Sequence, residues 1–123
     1  MELQPIRSEA WNVFTAYGKD YVDLNSVRHG LGIIVLPDRV IKAWTAADVE
    51  SLTLADFEFL AALDAEIILL GMGARFRFPR PELLQPFACI HKEFEAMDTH
   101  TACRTYNILV SEGRRVAVAL LPR

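Results

Sequence analysis

Two short runs that are apolar on both faces, Glu66-Ile67-Ile68-Leu69-Leu70 and Val116–Leu121, constrain this chain most. A strand without polar alternation needs cover above and below, so each run belongs at the centre of a layered sheet. Pro81 to Lys92 carries helical apolar spacing, and Phe94 to Met97 reads as a short strand. Pro81 suits a first helical position, whereas Pro86 predicts a bend or a late start. Glu66 to Met97 is therefore a strand–helix–strand unit, which gives parallel strands through a right-handed crossover. Thr99 to Ser111 reads as a helix ended by Gly113, with Ala102, Tyr106 and Leu109 on one face.

The opening third is β-rich. Trp11 to Tyr17 suggests a strand, Gly18-Lys19-Asp20 a turn, and Tyr21 to Leu24 a half-buried strand. Asn25 to Gly30 resembles a hairpin-like connection. Leu31 to Leu36 is nearly all apolar, Pro37-Asp38 turns the chain, and Val40 to Trp44 suggests a further strand. Connections this short favour antiparallel neighbours. Thr53 with Asp56 marks a helix start, after which Leu54, Phe57, Leu60 and Ala61 share a face. The predicted fold is α/β: a three-layer single domain over 1–123 with a mixed central sheet, an N-terminal β-rich hairpin region, about three helices and a loose arm over 1–10.

A chain of 123 residues that is 52% hydrophobic buries a core without staples. Its net charge of −3 argues against a nucleic-acid partner, which needs a basic footprint. No apolar stretch approaches ~18 residues, so no integral membrane segment is expected. Cys89 and Cys103 read as free thiols of a reducing compartment. Met1 to Pro5 lacks the basic start and apolar run of a signal peptide, and Glu2 and Glu9 do not suit a mitochondrial leader. The expected location is the cytoplasm.

In open sheets of parallel strands, ligands bind beyond the carboxyl ends. Two such ends are present, so a cleft is predicted between Gly71–Arg77 and Asp98–Arg104. Gly71 and Gly73 allow positive φ, and their amides suit an anion; equally, they suit a tight exit from a buried strand. The helix N-terminus at Thr99 adds free donors, and Arg75, Arg77 or Arg104 supplies a guanidinium fork. Cys103, with His100 one turn earlier, is the best candidate nucleophile; the competing reading is a small thiol packed under the sheet. Asp98 stands where an Asp caps a helix, which is favoured over a role as base. A dinucleotide site is not indicated, because Phe76 occupies the third glycine position of the motif. The spacing of Cys89, His91, His100 and Cys103 shows no convergence, so no metal or cofactor is expected.

Leu69-Leu70-Gly71-Met72-Gly73-Ala74-Arg75, Met97-Asp98-Thr99, Ala102 to Leu109 and Glu112-Gly113-Arg114-Arg115-Val116 together resemble a family of small domains. That family includes assembly factor 3 of mitochondrial NADH:ubiquinone oxidoreductase, complex I; other members form a domain of unknown function first described from a methanogen. The similarity runs from about Thr15 to Leu121. It implies a three-layer α/β fold with a mixed sheet and, for the mitochondrial relatives, help in building the respiratory complex rather than catalysis. Without a transit sequence, this chain reads as a bacterial homologue whose partners are proteins, respiratory complex subunits among them.

Overall fold

The computed structural model describes residues 11–42, 44, 48–73, 77–88 and 90–122. Strands β1 (Phe14–Tyr17), β2 (Tyr21–Leu24) and β3 (Val27–Gly30) form an antiparallel sheet in chain order. Strands β4 (Ile33–Leu36), β5 (Arg39–Ile41), β6 (Ile67–Gly71), β7 (Glu93–Met97) and β8 (Val116–Leu120) form a mixed sheet in the order β5-β4-β8-β6-β7. In it β6 runs parallel to both β7 and β8, and β4 runs antiparallel to β5 and β8. The connection from β7 to β8 therefore passes over β6.

The two runs read as central strands are β6 and β8, buried along their whole length. Their alternation serves two cores. Ile68, Leu70, Ala117 and Ala119 face helix α1 (Leu54–Ala61) and a 3-10 helix over Pro81–Phe87. Ile67, Leu69, Val116, Val118 and Leu120 face helix α2 (Thr99–Ser111) and the three-stranded sheet. Each fully buried aliphatic side chain contributes roughly 1.5–3 kcal/mol. The alanines of β8 leave room on the first side for Phe57 of α1 and Phe94 of β7, whose rings meet edge-on at 5.6 Å.

Helix starts follow local chemistry. Thr53 and Asp56 form a reciprocal capping box, and Asp98 caps α2 by accepting from the Thr101 amide at 2.9 Å. Gly113, with φ of 83°, follows the end of α2.

Three expectations need correction. Val27 to Gly30 is a strand, and the connection is only Asn25-Ser26, with φ of 49° and 70°. The Asn25 side chain holds this turn by accepting from the Val13 amide and donating to the Trp11 carbonyl. Pro81 to Phe87 is a 3-10 helix that ends before His91, since Pro86 has no amide to continue an α-helical ladder. The last strand of the opening third stops at Ile41 instead of reaching Trp44. Residues 1–10 and Cys89, the subject of two further expectations, lie outside the described residues.

Candidate functional site

The exits of β6 and β7 meet at one rim. The Met72 amide donates to the Met97 carbonyl at 2.9 Å, and the Thr99 amide donates to the Gly73 carbonyl at 2.9 Å. In return the Gly73 amide donates to Thr99 Oγ1 at 2.8 Å. Beside this stitched rim lies a cleft of about 1020 Å³. The Gly18–Asp20 turn between β1 and β2 also lines it, as do Asp48, Val49 and Glu50 at the start of the 3-10 turn Val49–Ser51. Leu31, Val49, Met72 and Pro122 supply its apolar surface.

Of the residues singled out in the sequence, Gly73, Arg77, Asp98, Thr99 and His100 line this cleft together. Gly71 is a strand residue of β6 with no positive φ. A Cβ there would sit 2.8 Å from Leu120 Cδ2 and 3.3 Å from the Thr99 Cα, so its role is the close approach of α2 to β6. Gly73 does hold a positive φ, 85°. Arg75 lies outside the described residues.

Cys103 turns away from the cleft into the core between α2 and the sheet, fully buried. Burial pushes its thiol up to about 12, so it stays protonated and unreactive at neutral pH. Arg104 lies on the outer face of α2, where its guanidinium donates to Tyr17 Oη and Thr101 Oγ1, both at 3.3 Å. His100 stacks against Tyr17 with ring centroids 4.3 Å apart, and its Nε2 lies 3.4 Å from the Gly18 carbonyl.

The electrostatics disfavour a free anion. Of the amides expected to cradle it, at Gly71, Gly73 and the N-terminus of α2, those of Gly73 and Thr99 are spent on the rim. The N-terminus of α2 already holds a negative group, the Asp98 carboxylate. The Thr101 amide and hydroxyl hold that carboxyl below its usual range. Asp20, Asp48, Glu50 and Asp98 line the cleft against Lys19 and Arg77, and Arg77 is paired with Glu50. Among the described residues no group of three or more His, Cys, Asp or Glu converges as metal ligands would.

Two residues to which sequence reasoning assigned no part at the site, Asn107 and the helix-face Tyr106, tie the three-stranded sheet to the helix behind the rim. Asn107 Oδ1 accepts from the Phe14 amide at 2.9 Å, and its Nδ2 donates to the Phe14 carbonyl at 2.8 Å. The buried Tyr106 donates its hydroxyl to the Asn12 carbonyl at 2.9 Å. A Tyr-Asn pair late in an amphipathic helix, with one side chain on the buried face and the next beside it, was the available signal.

The profile of a protein family of unknown function (DUF498/DUF598) matches residues 14–121. The "13 kDa major membrane protein" of Francisella tularensis is 30% identical over 122 residues, 98% of this chain and 99% of its own. Mouse NADH dehydrogenase [ubiquinone] 1 alpha subcomplex assembly factor 3 is 31% identical over 91 residues. That match takes in 72% of this chain but only 49% of the mouse protein, so the chain spans about half the length of that relative. A Bordetella parapertussis protein of known crystal structure superposes with a TM-score of 0.83 at 39% identity, covering 93% of this chain and 98% of its own. The solution structure of a Bordetella pertussis Mth938-like domain superposes with a TM-score of 0.78 at 35% identity, covering 99% and 92%. No helix among the described residues is long and apolar enough to cross a membrane.

Proposed function

This chain belongs to the DUF498/DUF598 family, and from that premise we propose that it is a non-enzymatic interaction module that helps a respiratory complex I assemble. The observation that carries the reading is the similarity to the mouse assembly factor across 72% of this chain. The state of the chemically capable side chains supports it: the Cys103 thiol is buried, Asp98 is engaged as a helix cap, and the Thr99 hydroxyl is bound to the rim. In this reading the chain works from the cytoplasm, and its partners are complex I subunits on their way into the membrane.

Deleting the gene in the native host should lower the amount of assembled complex I on native gels, and restoring it should recover that amount. A tagged copy, cross-linked in cells, should retrieve complex I subunits. Unchanged complex I in the deletion strain, with none of its subunits on the tagged chain, defeats the proposal.

The cleft of about 1020 Å³ favours a second reading, a small-molecule binder or enzyme acting between Gly71–Arg77 and Asp98–Arg104. Ligand at a hundred times its dissociation constant adds about 2.7 kcal/mol to stability, a readily seen thermal shift. A broad metabolite library without any shift, or shifts unaffected by Arg77→Ala, removes this reading.

A further inference from the structure

The mixed sheet ends at β7, and the backbone there is half used. In its parallel pairing with β6, the Glu93 amide donates to the Glu66 carbonyl and the Met97 carbonyl accepts from the Met72 amide. Backbone groups alternate along a strand, so Glu93, Glu95 and Met97 bond inward while Phe94 and Ala96 present their N–H and C=O groups outward. Among the described strands none lies on that side.

Side chains alternate with the same period. Phe94 and Ala96 point to the layer of α1 and the 3-10 helix, where the Phe94 ring lies 5.2 Å from that of Phe87. Both keep part of their surface exposed, as do Phe87 and Met97. Glu93 and Glu95 point to the other face and are exposed. Two cations near the start of β7 are already engaged: Arg114 pairs with Glu66 at 3.0 Å, and the Lys92 ammonium donates to the Ala61 and Leu63 carbonyls. The strand therefore offers two outward peptide units, an acidic stripe on one face and partly uncovered apolar groups on the other.

We infer that the outer edge of β7 is the docking strand for an extended partner segment in which basic residues alternate with apolar ones. Strand addition supplies main-chain hydrogen bonds, and the alternating faces supply the preference. Basic side chains of the added strand fall beside Glu93 and Glu95, and its apolar ones fall beside Phe94 and Ala96. The same glutamates oppose docking of a second copy through β7, since two such edges would set carboxylates against each other. This assignment deepens the interaction-module reading by giving it a surface and a partner chemistry.

The test uses the whole chain and two labelled peptides, one alternating Lys with Val and the other alternating Glu with Val. The Lys/Val peptide should bind roughly tenfold or more tightly than its acidic counterpart, and added salt should weaken it. It should slow hydrogen exchange at the Phe94 and Ala96 amides. Ala96→Pro removes an outward N–H without touching the β6 ladder and should weaken binding about tenfold. Should that variant misfold, Glu95→Lys, an exposed change, should still reverse the preference between the peptides.

Equal binding of both peptides, no saturable binding, protection elsewhere than Phe94 and Ala96, or self-association through this edge each overturns the inference. The complex I experiments above read independently, so a failed edge with complex I subunits still recovered condemns only the edge.

Discussion

Gly71 and Gly73 stand two residues apart and have different constraints. At Gly71 the obstacle is space: an added Cβ meets the Leu120 side chain and the backbone of Thr99. Gly71→Val should destabilise by roughly 1–3 kcal/mol through overpacking, as read from the midpoint of urea unfolding. A midpoint equal to that of the parent would mean α2 can step back from β6 freely. Cys103 gives a second residue-scale expectation. Its thiol is held neutral by burial, with the folded value near 12 against an ordinary value of 9.0. Above pH 9 the unfolded chain releases that proton and the folded chain keeps it, so the unfolded state binds fewer protons. Stability should therefore be full below pH 9 and fall as pH rises toward 12. Cys103→Ala should flatten part of that fall, while Tyr106, also raised by burial, sustains the rest. A thiol reagent at pH 8 should label the unfolded chain at Cys103 far faster than the native one. Equal rates at that residue would contradict its placement.

At the scale of elements, the joint between β1 and α2 is the most exposed to a single change. Asn107 satisfies both backbone groups of Phe14 at once. Asn107→Ala strips partners from a donor and an acceptor that are partly buried, at a cost of about 1–3 kcal/mol. The loss should show as faster hydrogen exchange at the Phe14 amide and across β1, with β6 and β8 still protected. Uniform exchange throughout the chain would mean that this joint does not hold the small sheet locally. The elements also show what could be read from sequence. The capping box at Thr53 and Asp56 and the cap at Asp98 were legible because their partners lie within three residues. The runs that became β6 and β8 were legible because full burial on both faces removes polar alternation. Val27-Arg28-His29-Gly30 was not legible as a strand, since an edge strand wet on both faces carries no apolar period. The 3-10 helix shared its apolar spacing with an α-helix, and only Pro86 hinted at the difference. At the candidate site, the meeting of two loops followed from parallel strand ends. The capture of the Gly73 amide by Thr99 and the inward turn of Cys103 depend on the packing of α2, and no local pattern encodes that.

Across the whole molecule, the two cores are two sides of the same strands. Ile68 and Leu70 belong to one, Ile67 and Leu69 to the other, and removing either layer exposes β6 to water. A sheet strand cannot keep one face packed while its neighbour strands lose register, so the layers should unfold together. The chain carries a reporter on each side: Trp11 packs against the α2 core, and Trp44 packs against the α1 core. Trp11→Phe leaves Trp44 to follow one layer, and Trp44→Phe leaves Trp11 to follow the other. Urea transitions of the two variants, each corrected for its own stability, should have the same slope and coincide with loss of far-ultraviolet circular dichroism. Leu69→Ala and Leu70→Ala, adjacent in sequence but facing opposite cores, should each cost about 2–5 kcal/mol and move both reporters equally. If the Trp11 signal melted before the Trp44 signal, the small sheet and α2 would form a separable unit. The central strands would then be held by the α1 layer alone, and a partner bound at β7, whose Phe94 packs into that layer, would stabilise one half of the molecule without the other.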